Sequence, residues 1–283
     1  MIERLAIVGV GLLGGSVAKA VRAHGLAREI VGVGRDLARL APALGDGALD
    51  RATTDVADGV AGADRVLLAA PVLANETLLA RVWQAAPAGA LLTDVGSTKR
   101  GIVSAAERLA VGRPHVHFVG SHPMAGSEKS GYAVARPDLF QGATVVVTPT
   151  EATDAAMAKG VAEFWAALGA RVVVLDPATH DRAVAAISHL PHVAAWALVD
   201  AVARFEPDAL QIAARGFKDT TRIAASDPDV WREILVANRE AVQASLAAFR
   251  TALDDLERLV MTGDGAALTA FLAHVKATRE RLP

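Results

Sequence analysis

The stretch that decides the fold is Gly9-Val10-Gly11-Leu12-Leu13-Gly14-Gly15. It follows the short apolar run Leu5 to Val8 and opens a helix with apolar Val17, Ala20 and Val21. A second apolar run, Ile30 to Val33, comes next. Strand, glycine turn, helix and strand fit into about 30 residues, the length of a βαβ unit. Gly9 permits the tight turn, Gly11 lets backbone approach a pyrophosphate, and Gly14 lets helix and strand pack closely. The helix N-terminus then presents free N–H groups and its positive dipole end to the phosphates. Gly9, Gly11, Leu12, Leu13 and Gly14 are therefore the candidate dinucleotide-binding residues.

The end of the second strand reads Gly34-Arg35-Asp36. A site for NAD usually carries an acidic residue there to hold the ribose hydroxyls, whereas an arginine can pair with the 2′-phosphate of NADP. Glycine stands at the usual acidic position, so the expectation leans to NADP, with NAD also accepted. Arg35 as a solvated residue stacking on adenine, and Asp36 as a shifted ribose ligand, are the alternatives.

Further strands are expected at Arg65 to Ala70, Ala90 to Val95, His117 to Gly120, Thr144 to Thr148 and Arg171 to Leu175. Helices are expected at Leu73 to Ala86, Lys99 to Leu109 and Asp154 to Leu168. Such alternation predicts an α/β, doubly wound, mostly parallel sheet covered on both faces. Ligands bind outside the carboxyl ends of such strands. Ala70-Pro71, Asp94 to Lys99 and Gly120-Ser121-His122-Pro123 are placed at such ends, which adds Ala70, Pro71, Asp94 and Ser97 to the cofactor candidates. The segment from Gly120 to Tyr132 packs histidine, carboxylate, lysine and hydroxyls among three glycines, a composition suited to a functional loop. His122 there is either a base or the cap of a strand end.

After Asp176-Pro177 the strand pattern stops. Thr179 to Phe205, Ala209 to Ala224, Pro228 to Thr262 and Ala266 to Arg281 read as helices, broken by Pro207, Asp227-Pro228 and Gly263-Asp264-Gly265. The expected domains are 1–176, dinucleotide-binding, and 177–283, an all-α substrate-binding and dimerisation domain. Long apolar helical faces predict a homodimer. His189-Leu190-Pro191-His192 sets two histidines on one helical face, for a kink, for substrate or for metal. With neither an HExxH glutamate nor a third ligand at a recognisable spacing, no metal site is expected. Arg222 suits bidentate binding of a carboxylate, with Asp219 positioning it. Trp231 is a core or interface anchor, or a lid.

The bulk numbers narrow the class. A chain of 283 residues suits two domains. A net charge of −2 provides no footprint for nucleic acid. The lack of cysteine excludes disulfides, thiolate nucleophiles and Cys-ligated metals, and a cytoplasmic location fits. No room for a signal peptide is expected before the first strand, and apolar regions such as Val193 to Ala203 read as interrupted by charge before they could span a membrane.

Taken together these segments resemble the prephenate and arogenate (cyclohexadienyl) dehydrogenase family of tyrosine biosynthesis. The glycine fingerprint is widely shared. The His122-Pro123-Met124-Ala125-Gly126-Ser127-Glu128-Lys129-Ser130-Gly131 and Ser188-His189-Leu190-Pro191-His192 segments, in this order and spacing, are far more specific. The resemblance implies oxidative decarboxylation of prephenate, or of arogenate, with hydride leaving C4 of the ring for NAD(P)+ and the ring carboxylate departing as CO2. It implies that His122 polarises or deprotonates the C4 hydroxyl, and that Ser97 lies beside that hydroxyl and the nicotinamide. His189, His192 and Arg222 bind substrate, Arg222 through a carboxylate. Glu128 and Asp219 gate or orient, Trp231 reaches a neighbouring subunit's site, and His180 with Asp181 is supporting. The small-molecule substrate and a second copy of the chain are the expected partners, without nucleic acid or membrane. No separate domain for tyrosine feedback is expected.

Overall fold

The structure is a computed structural model that describes residues 1–126 and 129–282. The first six strands are β1 (Ile2–Val8), β2 (Ala27–Val33), β3 (Arg51–Thr53), β4 (Arg65–Leu68), β5 (Leu91–Asp94) and β6 (His117–Phe118). They form one parallel sheet in the order β3-β2-β1-β4-β5-β6, the doubly wound arrangement of dinucleotide-binding folds. Its helices are α1 (Leu12–Ala23), α2 (Leu37–Gly45), α3 (Val56–Val60), α4 (Val72–Ala85) and α5 (Arg100–Ala110).

Side chains alternate across β1. Leu5 and Ile7 enter a core with Val17, Val21, Phe140 and Trp165. Ala6 and Val8 enter a second core with Leu79, Val82, Trp83 and Ile102. A parallel strand buried on both faces must be apolar throughout, which explains the unbroken run in the sequence.

Two strands read as a continuation of this sheet, Thr144–Thr148 and Arg171–Leu175, leave it instead. β7 (Gly120–Pro123), β8 (Thr144–Thr148) and β9 (Arg171–Val174) make a separate three-stranded sheet, with β7 antiparallel to β8 and β9 parallel to it. The split falls at Gly120, where a Cβ would come within 2.5 Å of the Thr148 hydroxyl. The segment read as a loop after a strand is thus itself a strand, and His122 sits in register with Val146. α6 (Ala155–Ala167) joins β8 to β9. The reading also passed over α2, β3 and α3. Two of these are five residues or fewer, and α2 contains Pro42, which reads as a breaker.

From Pro177 the chain is helical: α7 (Pro177–Val184), α8 (Leu190–Phe205), α9 (Arg215–Thr221), α10 (Pro228–Ala237), α11 (Arg239–Thr262) and α12 (Gly265–Glu280). Residues 1–238 make one compact unit and residues 239–283 another, in which α11 packs on α12. α7 and α8 run into each other through a π-helical turn, Ala185–His189. Pro191 lacks an N–H to continue the regular ladder, which accounts for a widened turn just before it. The joined helix, Pro177–Phe205, is 29 residues long and apolar enough to cross a membrane by length and composition, which corrects the reading that charge interrupts it. Even so, it carries Asp181, His180 and His189 buried within the protein.

Candidate active site

The glycine turn is built as its residues demand. Gly9 has φ +100°, and a Cβ there would lie 2.7 Å from the backbone of Ala69. A side chain on Gly14 would run into the Gly9 carbonyl, whereas Gly11 faces open space. No side chain caps the start of α1, so the amides of its first turn, among them those of Leu12 and Leu13, are left for a ligand. This cradle fits a pyrophosphate. At the end of β2, a Cβ on Gly34 would press on Leu40 at 3.1 Å, which disfavours an acidic side chain there. Arg35 is exposed. Asp36 is exposed and caps α2, its Oδ1 accepting from the Ala38 amide at 2.9 Å. Ala70 and Pro71 form the β4–α4 turn, where the Ala70 amide donates to the buried Asn75 at 3.0 Å.

Beneath the cradle, Asp94 is fully buried. Its carboxylate accepts from the amides of Gly96 (2.8 Å) and Ser121 (3.1 Å) and pairs with the equally buried Lys99. Asp94 therefore shapes the turn that holds the half-buried Ser97, with no carboxylate oxygen left facing a ligand. Burial lowers the pKa of Lys99, opposed by Asp94. Ser121 ties the sheets together, donating to the Asp94 carbonyl at 2.6 Å and accepting from the Trp165 indole at 2.9 Å. Tyr132 returns the chain to α1. Its ring lies where a Cβ of Gly15 would be, its hydroxyl donates to Asp46 at 2.6 Å, and Lys19 sits 4.5 Å over its ring.

His122 is only 8% exposed, and its Nδ1 lies 2.9 Å from Nε2 of His180 on α7. His180 Nδ1 in turn lies 2.7 Å from Asp181 Oδ1. Burial, then the neighbouring His180, Lys99 and His189, hold His122 well below the ordinary histidine pKa and keep it neutral. Burial alone would raise the pKa of Asp181. The His180 bond and the Arg100 and Lys99 amides outweigh it, and the net shift is downward.

The π turn buries His189, whose Nδ1 faces Asn238 Nδ2 at 3.2 Å; the same amide donates to the Asp181 carbonyl at 2.8 Å. His192 is half-buried and bonded through Nδ1 to the Ser188 carbonyl at 2.9 Å. Trp231 stacks on His192 at 3.6 Å and meets His189 edge-on at 5.8 Å, so the two histidines share one face, against Trp231 of their own chain. The resemblance had assigned this tryptophan to a neighbouring subunit's site. Arg222 is exposed, and its charge helps burial to lower the pKa of His192. Asp219 does not position it. Asp219 pairs with Arg215 at 3.1 Å, its i,i+4 neighbour along α9, whereas Arg222 lies beyond the end of that helix. Glu128 lies outside the described residues. The reading of motifs had given no role to Asn75, Ser121 or Asn238, and it saw Lys99 only as one residue of a polar turn. Their roles come from burial between segments far apart in the chain.

Two family descriptions cover nearly the whole chain: residues 17–174 match the prephenate dehydrogenase nucleotide-binding domain, and residues 176–274 match the prephenate dehydrogenase dimerization domain. The chain belongs to the prephenate dehydrogenase family. A prephenate dehydrogenase of Bacillus subtilis is 33% identical over 100% of this chain and 77% of its own length. A cyclohexadienyl dehydrogenase of Zymomonas mobilis is also 33% identical, over 98% of this chain and 94% of its own. The solved prephenate dehydrogenase of Aquifex aeolicus, in complex with hydroxyphenyl propionate and NAD+, superposes with a TM-score of 0.93 at 34% identity, over 100% of this chain and 99% of that one. In the prephenate dehydrogenase family, then, this chain's Ser97 and His122 lie in the nucleotide-binding part, and its His189, His192 and Trp231 lie in the dimerization part.

Proposed function

We propose that this chain catalyses the NAD(P)-dependent oxidative decarboxylation of prephenate to 4-hydroxyphenylpyruvate, a step of tyrosine biosynthesis. The observation that carries the reading is His122. It is neutral, nearly buried and held by one ring nitrogen, and among the described residues the other has no hydrogen-bond partner, which suits it to a substrate hydroxyl. When bound, the dinucleotide accepts the hydride from C4 of the ring. Gly9, Gly11, Leu12, Leu13 and Gly14 hold its pyrophosphate, and Ala70, Pro71, Ser97 and the turn set by Asp94 border its nicotinamide. Arg35 serves a 2′-phosphate, so NADP is favoured over NAD. His122 takes the proton of the C4 hydroxyl as that carbon is oxidised, and Ser97 orients the same hydroxyl. His189, His192 and Trp231 form the wall for the substrate, and Arg222 supplies the cation for one of its two carboxylates. Glu128 gates the site or orients its substrate, and Asp219 contributes through its pairing with Arg215.

The functional division into 1–176 and 177–283 and the homodimer belong to the same proposal. Within residues 239–283, Val260 is 57% exposed and Met261 78%, apolar side chains of the kind that a second copy would cover. Such a dimer works in the cytoplasm, and it explains the apolar Pro177–Phe205 helix without a membrane. The test is a two-by-two assay, prephenate and arogenate against NAD+ and NADP+. Turnover of prephenate, faster with NADP+, is expected. Preference for arogenate would transfer the reading to the sister substrate, and no turnover of either would refute it.

A further inference from the structure

We infer that Asp181 and His180 are positioning residues that fix the ring tautomer of His122, with the proton on Nδ1 and Nε2 left bare for the reacting hydroxyl. The inference rests on the proposed role of His122 as the base.

The direction of each hydrogen bond follows from Asp181. Its Oδ1 accepts from the Lys99 amide at 2.8 Å and its Oδ2 from the Arg100 amide at 3.0 Å, at the start of α5. A carboxylate that caps a helix in this way is an acceptor at both oxygens. The third contact, at 2.7 Å to His180 Nδ1, must then be donated by the histidine. With one proton per ring, His180 presents a bare Nε2, and that nitrogen can only accept at 2.9 Å from His122 Nδ1–H. His122 is left with its lone pair on Nε2. The chain of bonds thus sets which nitrogen is the base, the task an aspartate performs for a catalytic histidine in hydrolases, here passed through a second imidazole. Once His122 has taken the substrate's proton, its Nδ1–H remains bonded to His180, and the Asp181 anion lies one ring beyond.

The surroundings are rigid. His180 is fully buried and Asp181 is 2% exposed. The charged and titratable groups around them are Lys99 with its partner Asp94, Glu76 of α4 acting on Lys99, and His189 of the π turn. None of these bonds His122, so its tautomer is left to His180.

The direct test is the nitrogen NMR of the wild-type protein labelled at histidine, with His122 assigned by its loss in His122→Asn. A bare Nε2 and protonated Nδ1 on His122 is expected, and the opposite tautomer overturns the inference whether or not substrate turns over. The second test is His180→Leu, with folding followed by thermal melting. A fall in kcat of about 10²-fold or more, little change in KM and a displaced acid limb of the pH profile are expected. Wild-type kcat and pH profile in that variant overturn the inference. Should His180→Leu fail to fold, the wild-type tautomer decides. Loss of turnover in His122→Asn tests the base separately.

Discussion

The sheet-bearing part and the last two helices of this chain handle their apolar residues in opposite ways. In the first, Leu5, Ile7, Leu67, Trp83, Leu92 and Trp165 are almost wholly buried, on two faces of one sheet. Among the described residues from 239 on, only Val242 is buried, whereas Leu253, Val260, Met261, Leu272 and Val275 are about half exposed or more. The first region contains its own core and can hold charges within it, such as Lys99 with Asp94 and Asp181 with His180. The second leaves its apolar side chains exposed in the single chain, and the proposed dimer would cover them. Chemistry that needs a fixed, dry histidine therefore suits the first region, and the proposed assembly draws on the second.

The comparison breaks hardest at Lys99. Lys99→Met leaves the buried Asp94 with backbone partners only, and loss of one member of such a pair costs about 3–5 kcal/mol. Urea unfolding measures it, and a cost near zero would show that the pair is not part of the core.

Acid provides the next largest effect. Burial, partly offset by Asp181, holds His189 down to about 4 from its ordinary 6.5. Between those values the unfolded chain binds the proton and the folded chain does not, so stability falls as the pH falls, by up to about 3 kcal/mol from this group. His122 is also lowered and acts with the same sign. The urea midpoint of the wild type should drop from pH 6.5 toward about 4, and that of His189→Gln should drop less. Equal slopes would remove His189 from the account.

At the cofactor cradle the effect is smaller. Arg35→Ala should raise the KM for NADP+ about tenfold and leave that for NAD+ nearly unchanged, since only one charge-assisted bond is lost. An equal change with both cofactors would assign Arg35 to adenine stacking.

The smallest change in intrachain stability is expected in the helical region. Met261→Lys should shift unfolding by about 0.5 kcal/mol or less, because the side chain is 78% exposed, and yet weaken association in sedimentation. Unchanged association would move the dimer contact elsewhere.

The cradle was legible in the sequence because Gly9, Gly11 and Gly14 act through backbone geometry that neighbouring residues determine. The helical character after Pro177 was legible from periodicity and breakers, but Pro228–Thr262, read as one helix, divides at Asn238 into α10 and α11, and Ala209–Ala224 holds only the short α9 between two 3-10 turns. The second sheet was not, because the departure at Gly120 depends on a close approach to Thr148, far along the chain. For the same reason Asp94 read as a ligand of the cofactor when it is a clamp under the turn, and Asp219 read as the partner of Arg222 when the helix gives it Arg215. Asn238 and Lys99 carry no motif, and only tertiary burial shows what they hold.

The central claim is that this chain oxidises and decarboxylates prephenate with His122 as the base. The most direct measurement follows reduced cofactor and 4-hydroxyphenylpyruvate together, for the wild type and for His122→Asn, with NAD+ and NADP+. The wild type should form both products one for one, and His122→Asn should lose about 10²–10⁴-fold in kcat with its melting transition retained. Wild-type turnover by His122→Asn, or cofactor reduction without 4-hydroxyphenylpyruvate, would contradict it.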